Sequence, residues 1–324
     1  MLISGTNLQG VAMLRYHNDH FTRYPGNPII TFDSMPYRCH AVFNPGAVLA
    51  GDETILLLRV EDLEGASHIT IARSRDGVTG WTIDPKPLLS PNHDHGGSYE
   101  EYGCEDPRVT YLDDIGKWII AYTAYSPMGA GVALALTSDF VTVERLGLTL
   151  APNNKDAAVF PGKIGGKYWM LHRPAAGEIE HIWVTDSPDL RHWGHPTMLL
   201  NERGGPWWDS LKVGASTIPI RTDQGWLILY HGVKNFPVGP AYRLGAPLEH
   251  LQNPRRLIAR LPYWILAPRE YYETTGQVPN VVFPCGHTLV GDELRLYYGA
   301  ADTCVCLASG SLQEILCSLM EHPV

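Results

Sequence analysis

Positive charge is scarce in this sequence. Lys and Arg number 25 against 34 Asp and Glu, giving a formal net charge of −9. An acidic chain is a poor partner for nucleic acid or for an anionic membrane surface. Cations gathered at one point are then a local feature that needs a local explanation. Long apolar runs are also missing, and none reaches the ~18 residues of a membrane span. The opening Met1-Leu2-Ile3-Ser4-Gly5 lacks a basic stretch followed by an apolar one, so no signal peptide is expected. Cysteine is sparse: Cys39, Cys104, Cys285, Cys304, Cys306 and Cys317, with no Cys-x-x-Cys pair. Reduced, mostly buried thiols in a cytoplasmic protein are the expectation. Charged residues make up only 18% and hydrophobic residues 44%, which argues against disorder.

What is plentiful is Gly (32) and Pro (25) among 324 residues. These residues punctuate short strands with tight turns, whereas long helices exclude them. The strands recur in five units. Each unit opens with a strand, often near Phe-Pro or Asn-Pro, that runs into a Gly/Asp turn: Phe43–Leu49, Glu105–Leu112, Val159–Ile164, Lys212–Pro219 and Val282–Leu289. A second strand follows, at Ile55–Val60, Trp118–Ala124, Tyr168–Arg173, Trp226–Val233 and Leu294–Ala300. Most of these are rich in β-branched and aromatic residues. Third strands lead to Asp76, Asp139 and Asp189, with weaker copies at Tyr242–Leu248 and Val305–Ser309. A period of ~50–60 residues with three or four short strands each predicts an all-β chain, a single five-bladed β-propeller domain over 1–324. A β-sandwich with coincidental spacing is the competing architecture. Residues 1–30 and 250–280 lie outside the repeat, and 311–322 predict a short amphipathic C-terminal helix.

In a propeller the innermost strand of each blade lines the central channel. The entry to these strands collects Asn44, Glu105, Asp106, Arg108, Lys155, Asp156 and Lys212, and second-strand ends add Arg59, Arg173, His231 and Asp302. Asp106 is the most informative carboxylate. Pro107 behind it should hold it extended and aim it into the channel, although a turn-capping Asp is the ordinary alternative. Strand alternation points Glu105 the other way. Lys155, Arg173, Lys212 and His231 are the matching set of basic groups. Surface cations are usually solvated, but Arg173 and His231 end strongly apolar strands. Cations at a channel mouth in an acidic protein call for an anion, and phosphate suits both Arg forks and Lys point charges.

The ordered set of runs carries a resemblance. Phe43-Asn44-Pro45-Gly46, Leu58-Arg59-Val60-Glu61, Ala72-Arg73-Ser74-Arg75-Asp76-Gly77, Glu105-Asp106-Pro107-Arg108 and Phe160-Pro161-Gly162-Lys163-Ile164 come first. His172-Arg173-Pro174, Lys212-Val213-Gly214, Tyr230-His231-Gly232, Val281–Gly286 and Tyr297–Asp302 complete it. Together they resemble glycoside hydrolase family 130, the β-mannoside phosphorylases and their relatives. The resemblance implies a five-bladed propeller with one catalytic Asp, matched by Asp106. It implies phosphate held by Lys155, Arg173, Lys212 and His231, with Arg common where this chain has Lys155. It implies a mannosyl unit held by Asn44, Arg59 and Asp302, and a proton passed from Asp106 through a sugar hydroxyl to the leaving oxygen.

The chemistry is consistent with that set. Inverting glycosidases usually need an acid and a base. A phosphate dianion needs no base, only cations that hold it in line with the anomeric carbon. The expected reaction is inverting phosphorolysis of a β-mannoside, a glycosyl transfer to phosphate that gives α-mannose 1-phosphate. Inorganic phosphate is then a co-substrate, and no cofactor or metal is expected. The acceptor sugar and the β-1,4 or β-1,2 linkage stay open, as does homo-oligomerisation. A hydrolase of the same or a related clan, with Asp156 or Glu105 activating water, is one rival. A non-catalytic carbohydrate-binding propeller using Trp207, Trp208, Tyr271 and Tyr272 is another. His93-Asp94-His95 is a weak metal motif and could instead border the acceptor subsites.

Overall fold

The structure, a computed structural model, describes residues 19–92, 99–175, 177 and 180–324. Strand follows strand along nearly all of it. The α-helices among the described residues are a single turn at Tyr271–Thr274 and the amphipathic Leu312–Met320. The second of these is the expected C-terminal helix. Ser311 caps it by accepting from the Glu314 amide, and Leu312, Ile315, Leu316 and Leu319 form its buried face.

The strands form antiparallel meanders in chain order. The first runs Ala41–Ala50, Glu53–Glu61, Ser67–Ser74, with Thr82–Ile83 outside. The second runs Gly103–Leu112, Lys117–Ser126, Gly129–Thr137, Glu144–Leu150. A single parallel pairing, Ser67 with Gly103, joins these two into one sheet. The third is Asn154–Val159, Tyr168–Pro174, Ile182–Ser187, Gly194–Leu200. In the fourth the expected long strands are each broken into two. Lys212–Ala215, Tyr230–Phe236 and Gly239–Gly245 form one part, and Ile220–Arg221, Trp226–Leu227, Pro247–His250 and Asn253–Arg260 form the other. The fifth is Val282–Val290, Glu293–Ala300, Cys304–Ser311, and Thr22–Arg23 pairs along its outer side.

Two expectations are corrected here. Residues 253–260, placed outside the repeat, are the outer strand of the fourth sheet. The inner strand of the third sheet is Asn154–Val159, so Phe160-Pro161 follows it instead of opening it.

Side-chain periodicity explains how the sheets stack. Middle strands such as Glu53–Glu61 and Lys117–Ser126 are apolar at successive positions and are buried on both faces. Outer strands such as Glu144–Leu150 and Gly194–Leu200 are largely wet. Each sheet therefore needs a neighbour on either side. Leu57 and Ile71 of the first pack on Ile120 and Tyr122 of the second. Ile119 and Leu134 of the second pack on Met170 of the third, and Leu171 of the third packs on Val213 and Tyr230 of the fourth. Leu248 of the fourth meets Leu296 of the fifth, and Tyr297 of the fifth returns to Leu56 and Leu58 of the first. The apolar contacts thus run from sheet to sheet and come back to the start.

The Asp turns repeat in atomic detail. Asp76 accepts from the amides of Val78 and Thr79, Asp139 from Val141 and Thr142, and Asp189 from Arg191 and His192.

Candidate active site

The inner strands share a defect. Between Phe43 and Gly46, between Glu105 and Arg108, and between Lys155 and Ala158 the pairing register slips. The residue in the slip is left-handed each time: Asn44 at φ 44°, Asp106 at φ 49° and Asp156 at φ 55°. Asn and Asp are the non-glycine residues that tolerate this region best. The expectation that Pro107 keeps Asp106 extended is therefore overturned. Glu105 is corrected by the same bulge: alternation fails there, and one guanidinium reaches both carboxylates. Arg59 Nη1 donates to Asp106 Oδ1 over 2.9 Å, and Nη2 donates to Glu105 Oε1 over 3.0 Å.

Asp106 is buried at 2% exposure. Its Oδ1 also accepts from Asn44 Nδ2 at 2.9 Å. Burial opposes its ionisation, but Arg59, Lys155, Arg108 and the Asn44 amide together hold its pKa below the ordinary aspartate value. Asn44 can sit this close to the fifth sheet only because Gly299 faces it. A Cβ on Gly299 would fall 1.9 Å from Asn44 Oδ1. Asp302 follows the second strand of that sheet at φ 52°. Burial raises its pKa to about 6; Arg59 and Lys155 oppose the rise, and Asp106 and Glu105 add to it.

Arg108 crosses the molecule beneath Asp106. It is 1% exposed, and it donates through Nε to Ser216 O (2.8 Å), Nη2 to Ala215 O (2.9 Å) and Nη1 to Asp106 O (2.9 Å). Its contribution is to tie the second inner strand to the fourth.

The expected basic residues do converge. Lys155 is paired in register with Arg173, and Lys212 with Val233 two positions from His231. Burial lowers the pKa of Lys212, and the charges of Arg173 and Lys155 lower it further, so the three cations face one another. They are not free of carboxylates. Arg173 Nε lies 2.7 Å from Asp156 Oδ2, and its Nη1 pairs with Glu180. Asp156 is fully buried. Burial raises its pKa, but Arg173, His231 and Arg108 overcome this and hold it well below the usual range. His231 Nε2 is 3.4 Å from the same oxygen. Burial nonetheless pushes the His231 pKa down to about 4 against the pull of Asp156, so the ring is neutral at pH 7. Gly214 leaves room for this contact, since a Cβ there would sit 2.4 Å from Asp156 Oδ2.

Sequence reasoning missed Tyr242, which appeared only as the start of a weak third strand. The Lys212 ammonium lies 5.6 Å from its ring centre, and the His231 ring lies 6.0 Å away. Only the strand pairing reveals its place, opposite Val233 and two positions from His231. Trp208 is buried against Tyr230, while Trp207 and Tyr271 remain exposed. His93-Asp94-His95 lies outside the described residues. Among the described residues no group of three or more His, Cys, Asp or Glu is placed to hold a metal ion.

Comparison with known proteins places the chain as a whole. The profile of glycoside hydrolase family 130, described as beta-1,4-mannooligosaccharide phosphorylase, matches residues 16–321. A beta-1,2-mannobiose phosphorylase of Listeria innocua is 42% identical over 256 residues, 78% of this chain and 69% of the relative. A 1,2-beta-oligomannan phosphorylase of a Thermoanaerobacter species is 35% identical over 285 residues, 85% of this chain and 91% of the relative. The solved structure of the beta-1,2-mannobiose phosphorylase from Listeria innocua with beta-1,2-mannobiose superimposes with a TM-score of 0.84 at 34% identity, covering 93% of this chain and 99% of that one. With the profile spanning nearly the whole sequence, the chain belongs to glycoside hydrolase family 130.

Proposed function

We propose that this protein is an inverting β-mannoside phosphorylase, working at the mouth of a five-bladed β-propeller and releasing α-mannose 1-phosphate. The observation that carries this reading is the pairing of one buried acid, Asp106, with Lys155, Arg173, Lys212 and His231 brought from two other sheets. The propeller reading is supported by apolar contacts that return from the fifth sheet to the first. Pairing of Thr22–Arg23 with Cys304–Ser311, which joins an early strand to the last sheet, supports the same reading.

In this mechanism Asn44, Arg59 and Asp302 hold the mannosyl unit against Asp106. Lys155, Arg173 and Lys212 hold phosphate in line with the anomeric carbon, and neutral His231 and Tyr242 complete its hydrogen bonding. Phosphate attacks that carbon as the glycosidic C–O bond breaks, and the leaving oxygen takes a proton that originates at Asp106. Asp106 must carry that proton, yet the cations around it favour the carboxylate. The phosphate dianion offsets those cations and so favours protonation when both substrates are bound. A hydrolytic reading needs a base for water. Asp156 is ill suited, because Arg173, Arg108 and His231 surround its carboxylate and suppress its basicity.

The mannosyl unit is joined to its acceptor β-1,2 or β-1,4, the linkages named for the relatives and the family, and the acceptor is mannose, a manno-oligosaccharide, glucose or N-acetylglucosamine. The six cysteines are all free thiols, which supports a reducing, cytoplasmic setting. No helix of the described residues is long and apolar enough to cross a membrane. The test is incubation with β-1,2- and β-1,4-mannobiose with and without phosphate. Mannose 1-phosphate that forms only with phosphate supports the reading, and equal mannose release without phosphate refutes it.

A further inference from the structure

A cleft of about 740 Å³ opens beside the site, within the ~300–1,000 Å³ span of small-molecule pockets. It shares Arg59 and Glu105 with the site and is otherwise lined from the first two sheets. The cations, in contrast, come from the third and fourth sheets. Asp106 is bonded to Arg59 of the cleft and also feels the charge of Lys155 from the cation group. In an in-line displacement the leaving group departs on the side opposite the nucleophile, so the cleft lies where the leaving saccharide goes.

Two features of the wall suit a sugar. Tyr102 and Tyr125 are 45% and 42% exposed, with ring centres 5.7 Å apart and planes at 64°. They are held there by the backbone: the Tyr102 amide donates to Tyr125 O over 2.8 Å, at the edge where Gly103 abuts Ser67. Large aromatic faces left in water at a cleft wall are platforms for the C–H faces of pyranose rings. The polar lining is mainly anionic: Glu61, Asp62, Glu64, Glu101 and Glu105 against Arg59. Carboxylates accept from sugar hydroxyls and repel anions.

Resting on the phosphorylase reading above, we propose that this cleft is the acceptor site, that Tyr102 and Tyr125 are its stacking platform, and that it takes neutral saccharides and rejects anionic ones. The test is the synthetic direction with α-mannose 1-phosphate, following released phosphate. Wild-type turnover is established first, with mannose and β-mannobiose as acceptors; no turnover at all removes the phosphorylase reading and not the cleft assignment alone. Given turnover, Tyr102→Ala and Tyr125→Ala each raise the acceptor KM by about threefold to tenfold. The KM for α-mannose 1-phosphate stays unchanged, and Tyr→Phe at either position keeps the wild-type value. Tyr111→Ala, an exposed ring outside the cleft, serves as the control. Acceptor KM values unchanged in both alanine variants overturn the proposal. So does mannose 6-phosphate or glucuronic acid accepted as well as mannose.

Discussion

Asn44 and Asp106 stand at the same point of two successive sheets: each is the left-handed residue of a bulge, each is followed by proline, and the Asn44 amide donates to the Asp106 carboxylate over 2.9 Å. The acid is therefore positioned by a neighbouring sheet's copy of its own backbone distortion. That arrangement makes the site sensitive to changes that touch no substrate.

Replacing Asp106 with Asn should lower kcat for phosphorolysis by about 10²–10⁴-fold. Thermal unfolding should change little, because an amide can still meet Asn44 and Arg59. In the wild type, phosphate should raise the Asp106 pKa from its depressed position, read from carboxyl NMR shifts over a pH series. A titration indifferent to phosphate separates Asp106 from the anion site.

Gly299→Ala puts a methyl group where Asn44 Oδ1 now lies, 1.9 Å from the ideal Cβ. Asn44 must move, and Asp106 loses its amide donor. A displacement of this order should cost about 10²-fold in kcat/KM. A crystal structure of the variant should show Asn44 rotated away. Full activity with Asn44 unmoved contradicts this account.

Arg173→Ala should raise the phosphate KM and also destabilise the fold. The fully buried Asp156 loses its closest cation, and breaking such a pair typically costs about 3–5 kcal/mol. Arg173→Lys should recover part of the stability but little of the phosphate affinity, since an ammonium lacks the fork. Phosphate saturation curves and urea denaturation separate the two effects. An unaltered phosphate KM excludes Arg173 from the anion site.

Asp302 carries its proton up to about pH 6, above its ordinary value of 3.8. The protonated form therefore contributes its full stabilisation below pH 3.8, and that contribution is lost as pH rises through 6. Asp302→Asn cannot ionise and escapes the loss. The variant should gain stability relative to wild type between pH 5 and pH 7.5, by about 1.4 kcal/mol, the share of the ~3 kcal/mol total shift that falls in this window. A gap that narrows over that interval shows the assigned direction to be wrong.

The strand pattern and most of the converging residues were legible in the sequence because apolar runs and Gly/Pro turns are local signals. The bulges were not, since a register slip exists only relative to a partner strand. Glu105 shows the cost: alternation put it opposite Asp106, and one Arg59 joins the two. The third inner strand was misplaced for a related reason. Its bulge residue, Asp156, is followed by Ala157 and not by proline, so the Phe160-Pro161 pair drew attention past the strand. Asp156 itself read as a possible base. Only packing reveals that Arg173, His231 and Arg108 enclose it. Tyr242 escaped notice because a lone tyrosine at a strand start carries no pattern of its own.

Hanging the reactive side chains from kinks in three separate ladders has a consequence for how such an enzyme can diversify. Exchanging Asn44 or Asp106 between Asn and Asp, the side chains that suit the left-handed kink, leaves the neighbouring rungs and the apolar layers between sheets in place. New chemistry can then be sampled one position at a time, with the scaffold unaltered.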